Sequence, residues 1–319
     1  MSHLFMIPAN ENGIVLDNYL FDDLRIALAP PFNFSDAFLY SHGWWTDATR
    51  AMQDYNRFTI GFAQLAGDIA IANPAALGAG SLGIGIHWPS MLTENSGSIL
   101  SLLEAATFYT MEKRADNIGE NAGYTVLRSL LQSPAPPRRI NLVGHSFGCK
   151  VILSSLQAVA QDGIQVPPNV ALNVILLQAA TDDNHLEHGD AYGLVSSALP
   201  GLRMLVTVSQ EDLALKVAYP AAHLANLFRG KGDRRALGGA GPTDLVVQQF
   251  GGKASISVDW GFNRQAITAV AASRLVVADL TGIHRDPRNS YKADPLCGHH
   301  SDIFRPEIYE LMAGFIFGI

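Results

Sequence analysis

The chain has 319 residues, is 48% hydrophobic and carries a formal net charge of −7. That apolar content can bury a large core in one domain, and the acidic balance gives no electrostatic footprint for nucleic acid or anionic lipid. Cys149 and Cys297 are too few for a disulfide framework; residues 1–10 lack the basic start and apolar run of a signal peptide, and no apolar stretch is long enough to span a bilayer, so a soluble, cytoplasmic protein with no integral membrane segment is expected.

Taken in chain order, residues 37–41 read as a strand running into His42-Gly43, and residues 46–65 as a helix with Thr46 or Asp47 as its cap. A second strand, 82–88, is closed by Pro89, and 99–131 is largely helical with an interruption near Gly119 and Gly123. A third strand, 138–143, leaves a Pro-rich stretch, and helical spacing of Val151, Ile152, Ser155, Leu156 and Val159 then runs to Gln161, where Asp162-Gly163 stops it. Residues 170–178, 203–209 and 274–280 are three more strands, each rich in Val, Ile and Leu and each followed by polar residues. Residues 213–228 read as a helix, followed by a partly basic Gly-rich loop to about 242, and the chain ends in an amphipathic helix from Phe304 or Pro306 through Phe317. Strands alternating with helices predict an α/β fold with a mostly parallel central sheet flanked by helices on both faces. A single domain over 1–319 is expected, with a lid or surface excursion within about 213–273, its edge at 229–242.

Between the third strand and its helix stands Gly144-His145-Ser146-Phe147-Gly148. A serine on a tight strand-to-helix turn is forced into a strained backbone conformation that lifts its hydroxyl above the sheet, and glycines on either side let strand and helix approach. A serine hydroxyl is a weak nucleophile until a base takes its proton, and the base must be oriented by an acid. On a strand–turn–helix elbow the chain order is Ser, acid, His, with both partners at carboxyl ends of strands. Asp212, just past the strand 203–209, is the preferred acid; Asp182 and Asp183 are the alternatives, with Glu211 and Asp279 behind them. His300, before the terminal helix, is the preferred base, ahead of its neighbour His299 and of His284, whose surroundings read as an exposed polar turn. Donors for an oxyanion are expected from the backbone of Phe147 and of Trp44, in the loop after strand 37–41. Trp45 and Trp88, near strand ends, are expected to line a substrate pocket with apolar surface. His185-Leu186-Glu187-His188 lacks a remote third ligand, and no metal site is expected. Cys149, in the first turn of a helix, reads as a small buried residue.

Together, His42-Gly43-Trp44, Ile86-His87-Trp88-Pro89-Ser90 and the Ser146 pentapeptide resemble the α/β-hydrolase superfamily, and among it serine-esterase or lipase-like members with a Trp-Pro-Ser segment. The resemblance covers most of the chain from about Phe38 onward. It implies a sheet of about eight strands, a Ser-acid-His triad and no cofactor. With the elbow, it makes hydrolysis of a small-molecule carboxylic ester with an apolar acyl or alcohol group, through an acyl-enzyme on Ser146, the expected activity; thioester, amide or lactone cleavage, or a noncatalytic binding role on the same fold, are its alternatives.

Overall fold

The apolar runs of the sequence lie side by side in one parallel sheet in the computed structural model, which describes residues 3–30, 34–44, 46–72, 80–91, 105–224, 234–267, 270 and 272–318. Among the described residues the strands are β1 (His3–Pro8), β2 (Asp36–Ser41), β3 (Ser81–His87), β4 (Arg139–His145), β5 (Ala171–Leu177), β6 (Arg203–Val208), β7 (Ala254–Ser257) and β8 (Leu275–Asp279). They form one sheet in the order β1-β3-β2-β4-β5-β6-β8-β7, and every pairing is parallel. The sheet is thus wholly rather than mostly parallel, and β4, which carries the elbow, lies at its centre.

The connections hold α1 (Asn18–Ala27), α2 (Ala48–Ala72), α3 (Ala105–Ile118), α4 (Tyr124–Leu131), α5 (Gly148–Gln161), α6 (Gly193–Ala198), α7 (Tyr219–Leu224), α8 (Leu237–Ala240), α9 (Asp244–Gln249), α10 (Thr281–Arg285) and α11 (Pro306–Phe317). Asp47 caps α2, its Oδ1 accepting the Arg50 N–H at 2.7 Å. The interruption expected near Gly119 and Gly123 is a single π turn over 119–123 that joins α3 to α4 without ending the helix.

Two apolar layers cover the sheet, and the strand period of two sorts side chains between them. Ala37 and Leu39 of β2 pack with Met111 of α3, Val126 of α4 and Ile152 of α5, whereas Phe38 and Tyr40 pack with Tyr55 and Phe58 of α2 and Leu311 and Phe315 of α11. All six residues of β2 are buried, as a strand covered on both faces requires. The two edge strands escape a reading by apolar runs. β7 has only four residues, alternately half-buried and exposed, and β1 ends in Pro8 and pairs only with β3.

The stretch after β6 departs from the expected single helix and loose loop. A π turn over 214–218 leads into α7, and residues 234–240 are bound to the end of β5. Arg234 pairs with Asp182, Arg235 pairs with Asp183 at 2.7 Å, and the Leu237 N–H donates to Thr181 O at 2.7 Å. Residues 229–233 of the expected lid edge lie outside the described residues. No described helix is long and apolar enough to cross a membrane.

Asp182 also accepts from Tyr219 Oη at 2.7 Å and faces His185 Nε2 at 2.9 Å, all out of water. Burial alone would raise its pKa, but His185, Tyr219 and Arg234 hold it down at about 2. Asp182→Ala is expected to lower stability by about 3 kcal/mol, because Arg234 would be left without its buried partner. Glu211→Ala, which breaks a surface pair with the 64% exposed Arg285, should cost under about 1 kcal/mol. Urea midpoints of the two variants check the contrast; equal midpoints would contradict it.

Candidate active site

β4 ends at His145 and α5 starts at Gly148, so the chain turns over two residues. Ser146 takes φ +55°, a left-handed conformation that side chains rarely adopt. The turn can be this tight because Gly148 sits against the end of β2: a Cβ there would lie 2.1 Å from Ser41 O. Backbone bonds hold the serine on both sides, its N–H donating to Leu177 O at 3.1 Å and its carbonyl accepting from Ala180 N–H at 3.2 Å. Strain of this kind, about 1–3 kcal/mol, persists only where surrounding structure over-determines it.

Above the elbow, His300 Nε2 lies 2.8 Å from Ser146 Oγ, and His300 Nδ1 lies 2.8 Å from Asp212 Oδ2. Asp212 is fully buried. Its Oδ1 accepts the Leu215 N–H at 3.0 Å, and its Oδ2 also accepts from Gln178 Nε2 at 2.9 Å. Three donors thus converge on one carboxylate and fix its orientation against His300. An imidazole held between a carboxylate and a hydroxyl can take the hydroxyl proton, since the carboxylate fixes the tautomer and stabilises the imidazolium.

The other carboxylates and histidines are engaged elsewhere. Asp182 and Asp183 face Arg234 and Arg235, Glu211 faces Arg285 at 2.6 Å, and Asp279 Oδ1 accepts the Thr281 N–H at 2.8 Å. His284 bonds Ser209 Oγ at 2.8 Å, is buried rather than in an exposed turn, and stacks on His299, whose Nδ1 faces Asp302 at 3.3 Å. His185 is taken up by Asp182 and by Thr181 Oγ1 at 3.0 Å. Burial pushes the Cys149 thiol well up, and its Sγ donates to Leu177 O at 3.6 Å.

The loop after β2 crosses the elbow. A Cβ on Gly43 would approach Ser146 Cβ to 2.9 Å, so only glycine lets the loop pass this close. Trp44 follows, its ring 5.7 Å from that of Phe147. Among the described residues the Phe147 N–H has no carbonyl acceptor. Trp88 is corrected: it is wholly buried beneath this loop and does not line the cleft. Its indole N–H donates to His42 O at 3.3 Å, its ring stacks on His42, and its N–H donates to His42 Nε2 at 3.4 Å. His42 Nδ1–H then donates to Gly43 O at 2.9 Å, and Ser90 Oγ bridges Thr46 N–H and O. The Trp-Pro-Ser segment is therefore a brace for the loop, because an indole at the end of a central strand has no path to solvent. Trp45 lies outside the described residues.

A cavity of about 570 Å³ opens over Ser146 and His300. Its walls include residues for which the sequence reading had no signal: Phe108 from α3, Leu215 and Tyr219 beside α7, Arg50 and Arg57 from α2, and Tyr291. Gln178 was also missed, being read as the last residue of a strand. It has φ +46°, and Ser146 is the only other described non-glycine residue with positive φ. A polar residue directly after the apolar run Val174-Ile175-Leu176-Leu177 is the sequence signal that could have marked it.

A wholly parallel sheet with a strained serine between its central strand and the following helix defines an α/β hydrolase. The chain belongs to the alpha/beta hydrolase family of unknown function DUF900, whose family model matches residues 54–226. That stretch contains Ser146, Gln178 and Asp212; His300 and the Gly43 loop lie beyond it. No curated protein matches the chain.

Burial lowers the pKa of His42 and of His145 from 6.5 to about 3, helped at His145 by the neighbouring His300. His145 Nε2–H donates to His300 O at 2.9 Å, which holds the His300 loop on the elbow. Both folded values lie below the unfolded one, so the unfolded chain takes up protons first as pH falls. The stabilisation is full above pH 6.5 and is lost progressively below it, at up to about 1.4 kcal/mol per pH unit for each ring. The urea midpoint should therefore fall between pH 7 and about pH 5, above the range where most carboxylates titrate; a flat midpoint over that interval would contradict neutral buried rings.

Proposed function

We propose that the protein is a serine hydrolase that cleaves a carboxylic ester through an acyl-enzyme on Ser146. The observation that carries this reading is the continuous chain of two 2.8 Å contacts from Ser146 Oγ through His300 to the buried Asp212. As His300 Nε2 takes the hydroxyl proton, Ser146 Oγ bonds to the ester carbonyl carbon and the carbonyl electrons move onto oxygen. The Phe147 N–H and the Trp44 N–H are the proposed donors to that oxyanion. The C–O bond to the alcohol then breaks, and His300 returns the proton to the leaving oxygen, releasing the alcohol. Water repeats the sequence: His300 takes its proton, its oxygen bonds to the acyl carbon, and the Ser146 ester bond breaks with return of the proton to Oγ. Asp212 keeps the Nδ1–H tautomer of His300 and stabilises its charged form. Gln178, through Asp212, is a positioning residue.

A fluorophosphonate probe should label the wild type and not Ser146→Ala. On p-nitrophenyl esters of graded chain length, His300→Ala and Asp212→Asn should each lower kcat by about 10³-fold or more. Full activity in His300→Ala would remove it as the base, and a wild type that neither labels nor turns over any ester would leave a noncatalytic fold. Gln178→Asn tolerates the left-handed backbone but shortens the reach to Asp212. Its kcat should fall about ten-fold with KM nearly kept, because one donor that orients the carboxylate is lost. An unchanged kcat would reduce Gln178 to a structural residue.

A further inference from the structure

The cavity over Ser146 has two chemically different walls. On one side the rings of Phe108, Phe147 and Tyr219 pack edge to face, 5.2 and 5.3 Å apart, with Trp44 against Phe147 and Leu215 beside them. On the other side α2 presents Asp47, Arg50, Asp54 and Arg57, joined by Thr49 and Gln53. The four charged positions are spaced i, i+3, i+7 and i+10, one stripe of a helix, while Ala51, Tyr55, Phe58 and Phe62 on the adjoining face are buried against the sheet.

A stripe of alternating charge on a helix is ordinarily self-paired. Here it is not: among the described residues no ion pair joins these four side chains to one another or to any other group. Asp47 Oδ1 caps the Arg50 N–H, and the Arg57 guanidinium lies 5.5 Å over the Phe304 ring. Burial raises the Asp54 pKa, with Arg50 and Arg57 opposing it. Two cations and two carboxylates make a wall with no net charge, which favours neither an anion nor a cation, yet donors and acceptors alternate along it. A hydroxyl both donates and accepts, so a run of hydroxyls matches this wall as a simple alkyl or singly charged group does not.

The α2 wall also meets the loop that carries His300, since Arg57 and Ser301 line the cavity together. A second cavity of about 520 Å³ shares Arg57, Tyr291, Ser301 and Phe304 with the first, and Ser301 follows His300 in the chain. The leaving oxygen must sit beside His300 Nε2 to receive its proton, with the rest of the alcohol running toward Arg57 and the second cavity. The aromatic side is left for the acyl group. Resting on the serine-hydrolase reading above, we infer that the substrate is an ester of an apolar acyl group with a polyhydroxylated, uncharged alcohol, such as a glycerol or sugar monoester, recognised by the α2 stripe.

Propyl butyrate and 1-butyroylglycerol test this, because they share the acyl group and the three-carbon alcohol and differ by two hydroxyls. Both give the same acyl-enzyme, so deacylation is common and a difference in kcat/KM reports recognition of the alcohol. The glycerol ester should be preferred by about ten-fold, the scale of two net hydrogen bonds. In Asp54→Leu and Arg57→Met the preference should drop below about three-fold, each variant losing one set of those bonds. Arg57 is exposed and Asp54 half-buried, and circular dichroism establishes that both variants fold. Equal kcat/KM for the two esters in the wild type, or an unaltered preference in both variants, would overturn the inference while leaving the serine mechanism intact. Preference for 1-butyroylglycerol 3-phosphate over 1-butyroylglycerol would overturn it in favour of an anion site at the two arginines. Failure of the wild type to label with fluorophosphonate or to cleave any of the esters would instead overturn the serine mechanism, and this inference with it.

Discussion

The left-handed turn at Ser146 is the constraint on which the rest of this structure depends. A side chain at φ +55° is unfavourable, and the turn survives because its N–H and carbonyl are both bonded to the end of β5 while Gly148 lets α5 start against Ser41. The same compression brings the Gly43 loop to within a missing Cβ of the serine. A hydroxyl, a helix N-terminus and a loop of backbone therefore meet at the carboxyl edge of the sheet before any partner side chain is considered. Placing the turn at the end of a central strand makes it rigid, since β4 is paired on both sides and covered on both faces.

Buried polar groups then hold the irregular segments in place. His42, kept neutral by burial, donates to the Gly43 carbonyl and accepts from the Trp88 N–H, so one ring ties two strand ends together. His145, also neutral, fastens the loop that carries His300. Asp182 anchors residues 234–240 through Arg234. Each of these groups would be costly to bury without its partner, and that cost is what selects one loop arrangement over others. Gln178 extends the same logic to Asp212: a second strained residue at the end of the neighbouring strand directs its amide at the carboxylate.

The cleft takes its two-sided character from the elements that border it. α2 must bury one face on the sheet, and the adjoining stripe of charged residues is left to the cavity. The π turn at 214–218 and α7 bring Leu215 and Tyr219 over the elbow, where they extend the aromatic surface of Phe108 and Phe147. The stretch after β6 thus contributes a wall of the site.

Much of the architecture was legible in the chain, because central parallel strands are apolar on both faces and the elbow needs small residues at fixed positions. The six inner strands and the helix after Ser146 stand out for that reason. β1 and β7 do not, since an edge strand is half solvated and four alternating residues resemble a turn. Trp88 looked like pocket lining because strand ends commonly face a ligand, but its position beneath the His42 loop depends on which strands are neighbours. The choice among carboxylates was equally beyond local reading: Asp182 and Asp212 both follow apolar strands, and both are buried. The sequence by itself determined the succession of the six inner strands and the strained serine, because these rest on local periodicity and on backbone sterics at glycine. Tertiary structure alone decided which carboxylate and imidazole line up with that serine and which amide meets the carboxylate. Those contacts join residues 88 and 154 positions apart, and only the packing of the sheet and the burial of their loops bring them within hydrogen-bond distance.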